Sequence, residues 1–236
     1  MNGTPGSTRA ATVGTHRVVP SSADHTPIRV LIVDDHLLFG QALAAALDRE
    51  SDLQVVGTVS SLEDGVRVVL GEQVDVALLD YRLPGVDGVD GVHRLLAAAP
   101  SVAVVMVTAS DDERVLLAAV EAGCAGFVSK TADIEHIHTA VRSAAVGEAT
   151  IAPNLLPRLL ARLAQRGTGV GSDLTARERE VLRHISAGRT NAEIADALHL
   201  SINTVRNHVQ AVLAKLGAHS KLEAAAIAVR AGLAAP

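Results

Sequence analysis

The stretch VLIVDDH, residues 30–36, decides how the rest of the chain is read. Four apolar residues, Val30 to Val33, end in two adjacent carboxylates, Asp34 and Asp35. The apolar run has the pattern of a strand buried on both faces. Two like charges at the mouth of such a strand repel each other, and neither stays ionised there cheaply without a partner.

Further along the chain the same alternation repeats. IRVLIV (28–33) precedes a helical pattern near 36–49, LQVVGTV (53–59) one near 61–71, and VDVALL (74–79) one near 88–99. VAVVMVT (102–108) precedes one near 111–122, and CAGFVS (124–129) one near 132–146. Five strand–helix units predict an α/β domain over 28–147: a flavodoxin-like (βα)5 doubly wound parallel sheet of order 2-1-3-4-5. In that order strands 1 and 3 are neighbours, so Asp80, ending VALLD, joins Asp34 and Asp35 at one sheet end. Three carboxylates gathered there call for a hard cation, and an oxygen-only set suits Mg2+. Thr108 ends the fourth strand, and Lys130 follows the fifth. A carboxylate nucleophile beside a metal, a hydroxyl and a lysine is what phosphoryl transfer to aspartate requires, with Asp80 attacking in line. The bland alternative is that acids after strands act as helix N-caps; clustering of five groups at one sheet end is what separates the two readings.

After residue 147 the pattern changes. Residues 148–171 read as a linker, with prolines at 153 and 157, a short helical pattern at 155–165 and glycines near 167–171. From 172 to 236 every segment reads as helix, near 176–187, 191–198, 202–216 and 221–232. Thr175-x-x-Glu178, Thr190-x-x-Glu193 and Ser220-x-x-Glu223 match the capping box, and Ser201 can cap a further helix. Ile194, Ala195 and Leu198, then Val205, Val209, Val212, Leu213 and Leu216, form apolar stripes on two helices joined at His199-Leu200-Ser201. Asn203, Thr204, Arg206, Asn207 and Gln210 fall on or near the opposite face. This predicts an all-α, four-helix helix-turn-helix domain that reads DNA; a plain helical bundle with a polar surface is the competing reading.

Both halves resemble known families. Residues 28–147 resemble a response-regulator receiver domain on Asp34-Asp35, Asp80, the loop Leu83 to Gly88, Thr108-Ala109-Ser110 and Phe127-Val128-Ser129-Lys130. That resemblance implies phosphorylation of Asp80 by a sensor histidine kinase, and Mg2+ held by Asp34, Asp35, Asp80 and the Tyr81 carbonyl. It also implies a switch pair of Thr108 and Phe127 beside Lys130. Phe127 stands where relatives often carry Tyr. Arg82 and Ser110 occupy positions that tune phosphoryl lifetime. Residues 172–233 resemble the LuxR-type helix-turn-helix of the NarL/FixJ family, on LTAREREVL (174–182), TNAEIA (190–195), Leu200-Ser201, TVRNHV (204–209) and Lys215-Leu216. By that resemblance Arg206, Asn207 and Gln210 read bases in double-stranded DNA. Asn191, Ser201, Thr204, His208 and Lys215 hold phosphates or serve structure, His208 equally as a packing residue. The last helix, with Leu222, Ala226, Val229 and Leu233, is either a homodimerisation helix or a plain closing helix.

Composition fits this reading. Residues 28–147 carry eight bases against eighteen acids, and residues 172–236 eight bases against six acids. An acidic half thus precedes a mildly basic one. A single cysteine, Cys124, excludes an internal disulfide, suggests a reducing, cytoplasmic setting and reads as a buried inert thiol. No apolar run approaches the roughly 20 residues of a membrane span. Residues 1–27 are rich in Gly, Ser, Thr and Pro and read as a disordered extension. The expectation is a two-component transcription factor switched at Asp80, not an enzyme beyond its own phosphorylation and dephosphorylation. One alternative is a receiver that acts without phosphorylation. Another is a Mg2+-dependent aspartyl-phosphate phosphatase, which needs an acid where Arg82 stands.

Overall fold

The computed structural model describes residues 26–109, 113–149 and 173–234. The 155–165 helical pattern, Ser110 and nearly all of the N-terminal extension lie outside the described residues. Strands β1 (Ile28–Val33), β2 (Leu53–Val59), β3 (Val76–Asp80), β6 (Ala103–Thr108) and β7 (Gly126–Ser129) form one all-parallel sheet, in the order β2-β1-β3-β6-β7. With the two short strands described next set aside, this is the 2-1-3-4-5 order.

The pleat explains why these strands read as continuous apolar runs. Leu31, Val33, Leu79 and Met106 point to one face, while Val30, Ile32, Leu78, Val105 and Val107 point to the other. Both faces are covered, the first by α2 (Leu62–Gly71), α3 (Gly88–Ala98) and α4 (Glu113–Glu121), the second by α1 (Leu37–Leu47) and α5 (Ile134–Ala145). One feature was not anticipated: β4 (Arg82–Leu83) and β5 (Val86–Asp87) form a small antiparallel pair around Pro84-Gly85. It leads the chain from β3 into α3. There Gly88 packs so tightly on Tyr81 that an added Cβ would stand 2.8 Å from both its Cα and its carbonyl oxygen. Only glycine lets α3 begin against the backbone that follows Asp80.

The helical unit has α6 (Ala176–Ser186), α7 (Asn191–Leu198), α8 (Ile202–Leu216) and α9 (Lys221–Arg230). Thr175/Glu178 and Thr190/Glu193 form reciprocal capping boxes, and Ser201 accepts from the Thr204 amide. The third expected box departs from the pattern. Ser220 accepts from the Glu223 amide, but the Glu223 carboxylate takes the His219 amide at 2.7 Å. Ser220 instead donates its hydroxyl proton to the Cys124 carbonyl of the first unit at 3.0 Å. His199, in the left-handed region at φ 53°, turns the chain from α7 into α8.

The two units are docked. Helix α9 packs on α6 and α8 and also on α4, and residues 221–229 are all buried. Arg230 meets Glu121 at 3.2 Å, and Lys221 meets Glu148 at 2.6 Å. The α2–α4 side of the sheet core runs on without a break into Val181, Ile194, Val209 and Ala226. A cleft of about 620 Å³ remains between the units. Asp75, Ser101 and Ala125, at the starts of β3, β6 and β7, line it on one side, and Arg206 and Gln210 of α8 on the other. No helix among the described residues is long and apolar enough to cross a membrane.

Candidate metal centre and nucleic-acid interface

The register places the acidic residues together. Val33 of β1 pairs with Leu79 of β3, so Asp34 and Asp80, one residue beyond each, emerge side by side. Both are 3% exposed. Asp34, Asp35, His36 and Asp80 can each offer a ligand atom, all within 4.8 Å of one another. Lys130, just past β7, reaches Asp34 at 2.7 Å and Asp80 at 2.6 Å, and its amide donates to the Thr108 carbonyl. Burial pulls the Lys130 ammonium down, but its hydrogen bonds to Asp34 and Asp80 outweigh this and hold its pKa above the usual lysine value. The other Asp80 oxygen accepts from the Arg82 amide at 3.1 Å.

The acids are not N-caps in the ordinary sense. His36 occupies the N-cap position of α1, and its side chain makes no capping bond. Asp34 accepts from the His36 amide at 2.8 Å while still facing Lys130. Three carboxylates gather where one ammonium meets only two of them, and Asp35 Oδ1 is buried without a hydrogen bond, although His36 Nδ1 stands 3.0 Å away. An oxygen-rich set with an orphaned buried oxygen fits a hard divalent cation. Thr108 lies at the same sheet end, opposite Ser129 in register, and Phe127 is buried opposite Met106. Two further neighbours complete the site. His36, adjacent to the acids in sequence, brings its ring to them, with Nδ1 3.2 Å from Asp34 and 3.0 Å from Asp35. Phe39 lies beneath Lys130, 5.0 Å from the ammonium to the ring centroid.

On the helical unit, Arg206, Asn207 and Gln210 are exposed on one face of α8, while Val205, Val209 and Val212 are buried on the other. Thr204 and His208 are half-buried, and Ser201 is exposed at the helix start. Lys215 is engaged within the unit. Its ammonium lies 2.7 Å from Glu178, and this contact is the leading reason the Glu178 carboxyl is held down to about 2. Asn191 is buried, with its amide on Glu148 and its side-chain oxygen near Lys221. Leu222, Ala226 and Val229 are buried within the chain and Leu233 is half-buried, so in this conformation none of the four is a free surface. Cys124 is buried with its thiol pushed up to about 12 by desolvation, and it donates to the Gly126 carbonyl.

Comparison with known proteins agrees with both halves. Residues 30–142 match the response regulator receiver domain, and residues 172–228 match the LuxR family of bacterial regulatory proteins. The chain is 32% identical to the transcriptional regulatory protein LiaR of Bacillus subtilis, across 86% of this chain and 97% of that one. It is 34% identical to the probable transcriptional regulatory protein NarL of Mycobacterium tuberculosis, across 86% and 94%. A solved receiver domain of the putative response regulator NarL from Mycobacterium tuberculosis shares 31% identity and covers 52% of this chain and 99% of that one, with a TM-score of 0.50. A doubly wound sheet with its acids beside Lys130, joined to a capped helix-turn-helix, places this chain among the NarL/LuxR-family response regulators, transcriptional regulators that couple a receiver to a LuxR-type DNA-binding domain.

Proposed function

We propose that Asp80 is the phosphoacceptor of a cytoplasmic two-component switch and that a sensor histidine kinase is its donor. The observation that carries this reading is the Asp80–Lys130–Asp34 contact at the end of adjacent strands. An Asp80 oxygen attacks the phosphorus of a phosphohistidine, the P–N bond breaks, and the departing imidazole keeps the bond pair. Asp34, Asp35, Asp80 and the Tyr81 carbonyl would hold Mg2+, which would supply positive charge against the phosphoryl oxygens. Lys130 turns from the carboxylate to the phosphoryl group, Thr108 donates its hydroxyl to it, and Phe127 repacks behind Thr108. The receiver promotes only its own phosphorylation and dephosphorylation.

Arg206, Asn207 and Gln210 read base edges in the major groove of double-stranded DNA, with Ser201, Thr204 and His208 at the backbone. Lys215, held by Glu178, serves the fold. The docked arrangement turns Arg206 and Gln210 into the cleft against the receiver and buries α9. Phosphorylation favours the undocked form, which frees both surfaces and allows a homodimer through Leu222, Ala226, Val229 and Leu233.

The test is phosphoryl uptake and DNA binding with acetyl phosphate and Mg2+, for wild type and Asp80→Ala. Wild type is expected to gain the mass of one phosphoryl group, to dimerise and to bind its own promoter fragment more tightly; Asp80→Ala does none of these. Equal binding by both, with no mass gain, would mean that the receiver works without phosphorylation.

A further inference from the structure

The docking contact contains a carboxylate in an unusual place. Asn191 is the first residue of the eight-residue helix α7, the leading helix of the helix-turn-helix. The Thr190/Glu193 capping box satisfies the amides of Thr190 and Glu193 and leaves that of Asn191 pointing out of the helix start. Glu148, immediately after the receiver, fills the gap. One carboxylate oxygen accepts from the Asn191 amide at 2.6 Å, and the other lies 2.6 Å from the Lys221 ammonium. Lys221 is 4% exposed, and its other contacts are the Arg189 carbonyl at 2.9 Å and the Asn191 side-chain oxygen at 3.3 Å. If Glu148 is removed, a helix-start amide and an ammonium are left side by side without an anion.

We propose that Glu148 is a resident decoy for a DNA phosphate: in the docked form its carboxylate occupies an anion site made by the Asn191 amide and Lys221, and in the undocked form a backbone phosphate takes its place. Two features support this. First, a carboxylate and a phosphate both present two oxygens with shared negative charge, and a helix start beside a lysine accepts either. Second, Glu148 and Lys221 line the same cleft as Arg206 and Gln210. The decoy is therefore on the side of the helical unit that carries the base-reading residues. In a helix-turn-helix the leading helix crosses the phosphate backbone while the second enters the groove. The receiver thus holds the DNA-binding unit by competing for a phosphate position as well as by covering it.

This rests on the DNA-binding reading above. The experiment uses the full chain, unphosphorylated, and a labelled random-sequence DNA duplex titrated at several salt concentrations. Glu148 is far in the fold from Asp80, so Glu148→Gln is expected to take up phosphoryl groups as wild type does. It is expected to bind the duplex about tenfold more tightly than wild type without phosphorylation. In the Glu148→Gln background, adding Lys221→Met is expected to lower the slope of log affinity against log salt by about 0.9, the loss of one phosphate contact. Lys221→Arg, which keeps the charge, should retain the slope. Glu148→Gln binding no better than wild type, while phosphorylated wild type binds well, would overturn the decoy. So would a Lys221→Met protein that binds more weakly with an unchanged slope, because that is the signature of a structural lysine. Failure of phosphorylated wild type and all variants to bind duplex DNA would sink the DNA-binding reading itself.

Discussion

The two edges of the receiver sheet carry opposite kinds of surface. At the carboxyl edge, Lys130 contacts both Asp34 and Asp80, so that β1, β3 and β7 each lead into a group of the site. At the amino edge, Asp75, Ser101 and Ala125 carry no such chemistry and face the helical unit across a cleft. The five residues of β3 put about 16 Å between the edges. Helices α4 and α5 both run from one to the other. Helix α4 leaves from the carboxyl edge after β6 and returns to the amino edge at Gly123-Cys124, where it meets α9. The separation means that a charge added at Asp80 would act on the DNA-binding unit through a packed helix such as α4, whose far end is already a docking contact.

The largest effect that tests this division comes from Lys130. It is the ammonium that faces two buried carboxylates, and removing one partner of a buried ion group is strongly destabilising. Lys130→Met should cost the receiver about 3 kcal/mol in the presence of a chelator, read by urea unfolding. Mg2+ should recover much of that loss, since a cation bound only by the folded form stabilises it by mass action. An equal loss with and without Mg2+ would mean that the acids do not share a cation site, and the carboxyl edge would lose its claim to chemistry.

The amino edge has its own sensitive point. Gly123 has φ +98°, and a Cβ there would come within 2.8 Å of Leu96 and 3.0 Å of the Glu223 carboxylate across the domain boundary. Gly123→Ala should therefore lower overall stability by about 2 kcal/mol, mostly through backbone strain present in both forms. It should also raise DNA binding by the unphosphorylated protein, because the clash with Glu223 exists only in the docked form. Phosphoryl uptake at Asp80 should be unchanged. A protein that loses stability without gaining DNA binding would show that the Gly123–α9 contact does not restrain the helical unit.

What could be read from sequence follows the range of the interactions. The receiver strands were legible because both faces of each are buried, which leaves uninterrupted runs such as Val30 to Val33. Their carboxyl ends then brought Asp34, Asp80 and Lys130 together through topology alone. Helix starts were legible at Thr175 and Thr190 because a capping box closes within three residues. At Ser220 the pattern marked the helix start, with Ser220 capping the Glu223 amide, but not the reciprocal half of the box: the Glu223 carboxylate turns to the His219 amide, and the Ser220 hydroxyl proton goes to Cys124, 96 residues away. The β4–β5 pair is too short to leave a period. Lys215 was open to reading as a phosphate contact because its partner Glu178 lies 37 residues earlier, and the Glu148–Lys221 contact spans 73. Contacts of that range are settled by docking, and no local pattern encodes them.

The Glu178–Lys215 pair gives the smallest effect and separates the stability of the helical unit from its docking. It ties the start of α6 to the end of α8, away from the receiver contacts made by Glu148, Ser220 and Arg230. The Glu178 carboxyl titrates near 2 in the folded chain, held down first by the Lys215 hydrogen bond and then by the Thr175 amide, against an ordinary value of 4.5. A lowered carboxyl pKa contributes stability that is fully present above the unfolded value and is lost as pH falls towards the folded one. Wild type should thus exceed Glu178→Gln by a constant margin, about 1 kcal/mol for an exposed-partner hydrogen bond to a charge, from pH 7 down to about 5. The margin should close between about 4.5 and 2. Thermal unfolding of the two proteins across that range measures it, and other carboxylates cancel in the difference. Curves that stay parallel to pH 2 would mean the pair contributes nothing through its charge. If the margin closes as expected while the unphosphorylated affinity for DNA at pH 7 is the same in both proteins, the helical unit holds its own shape independently of the edge that restrains it.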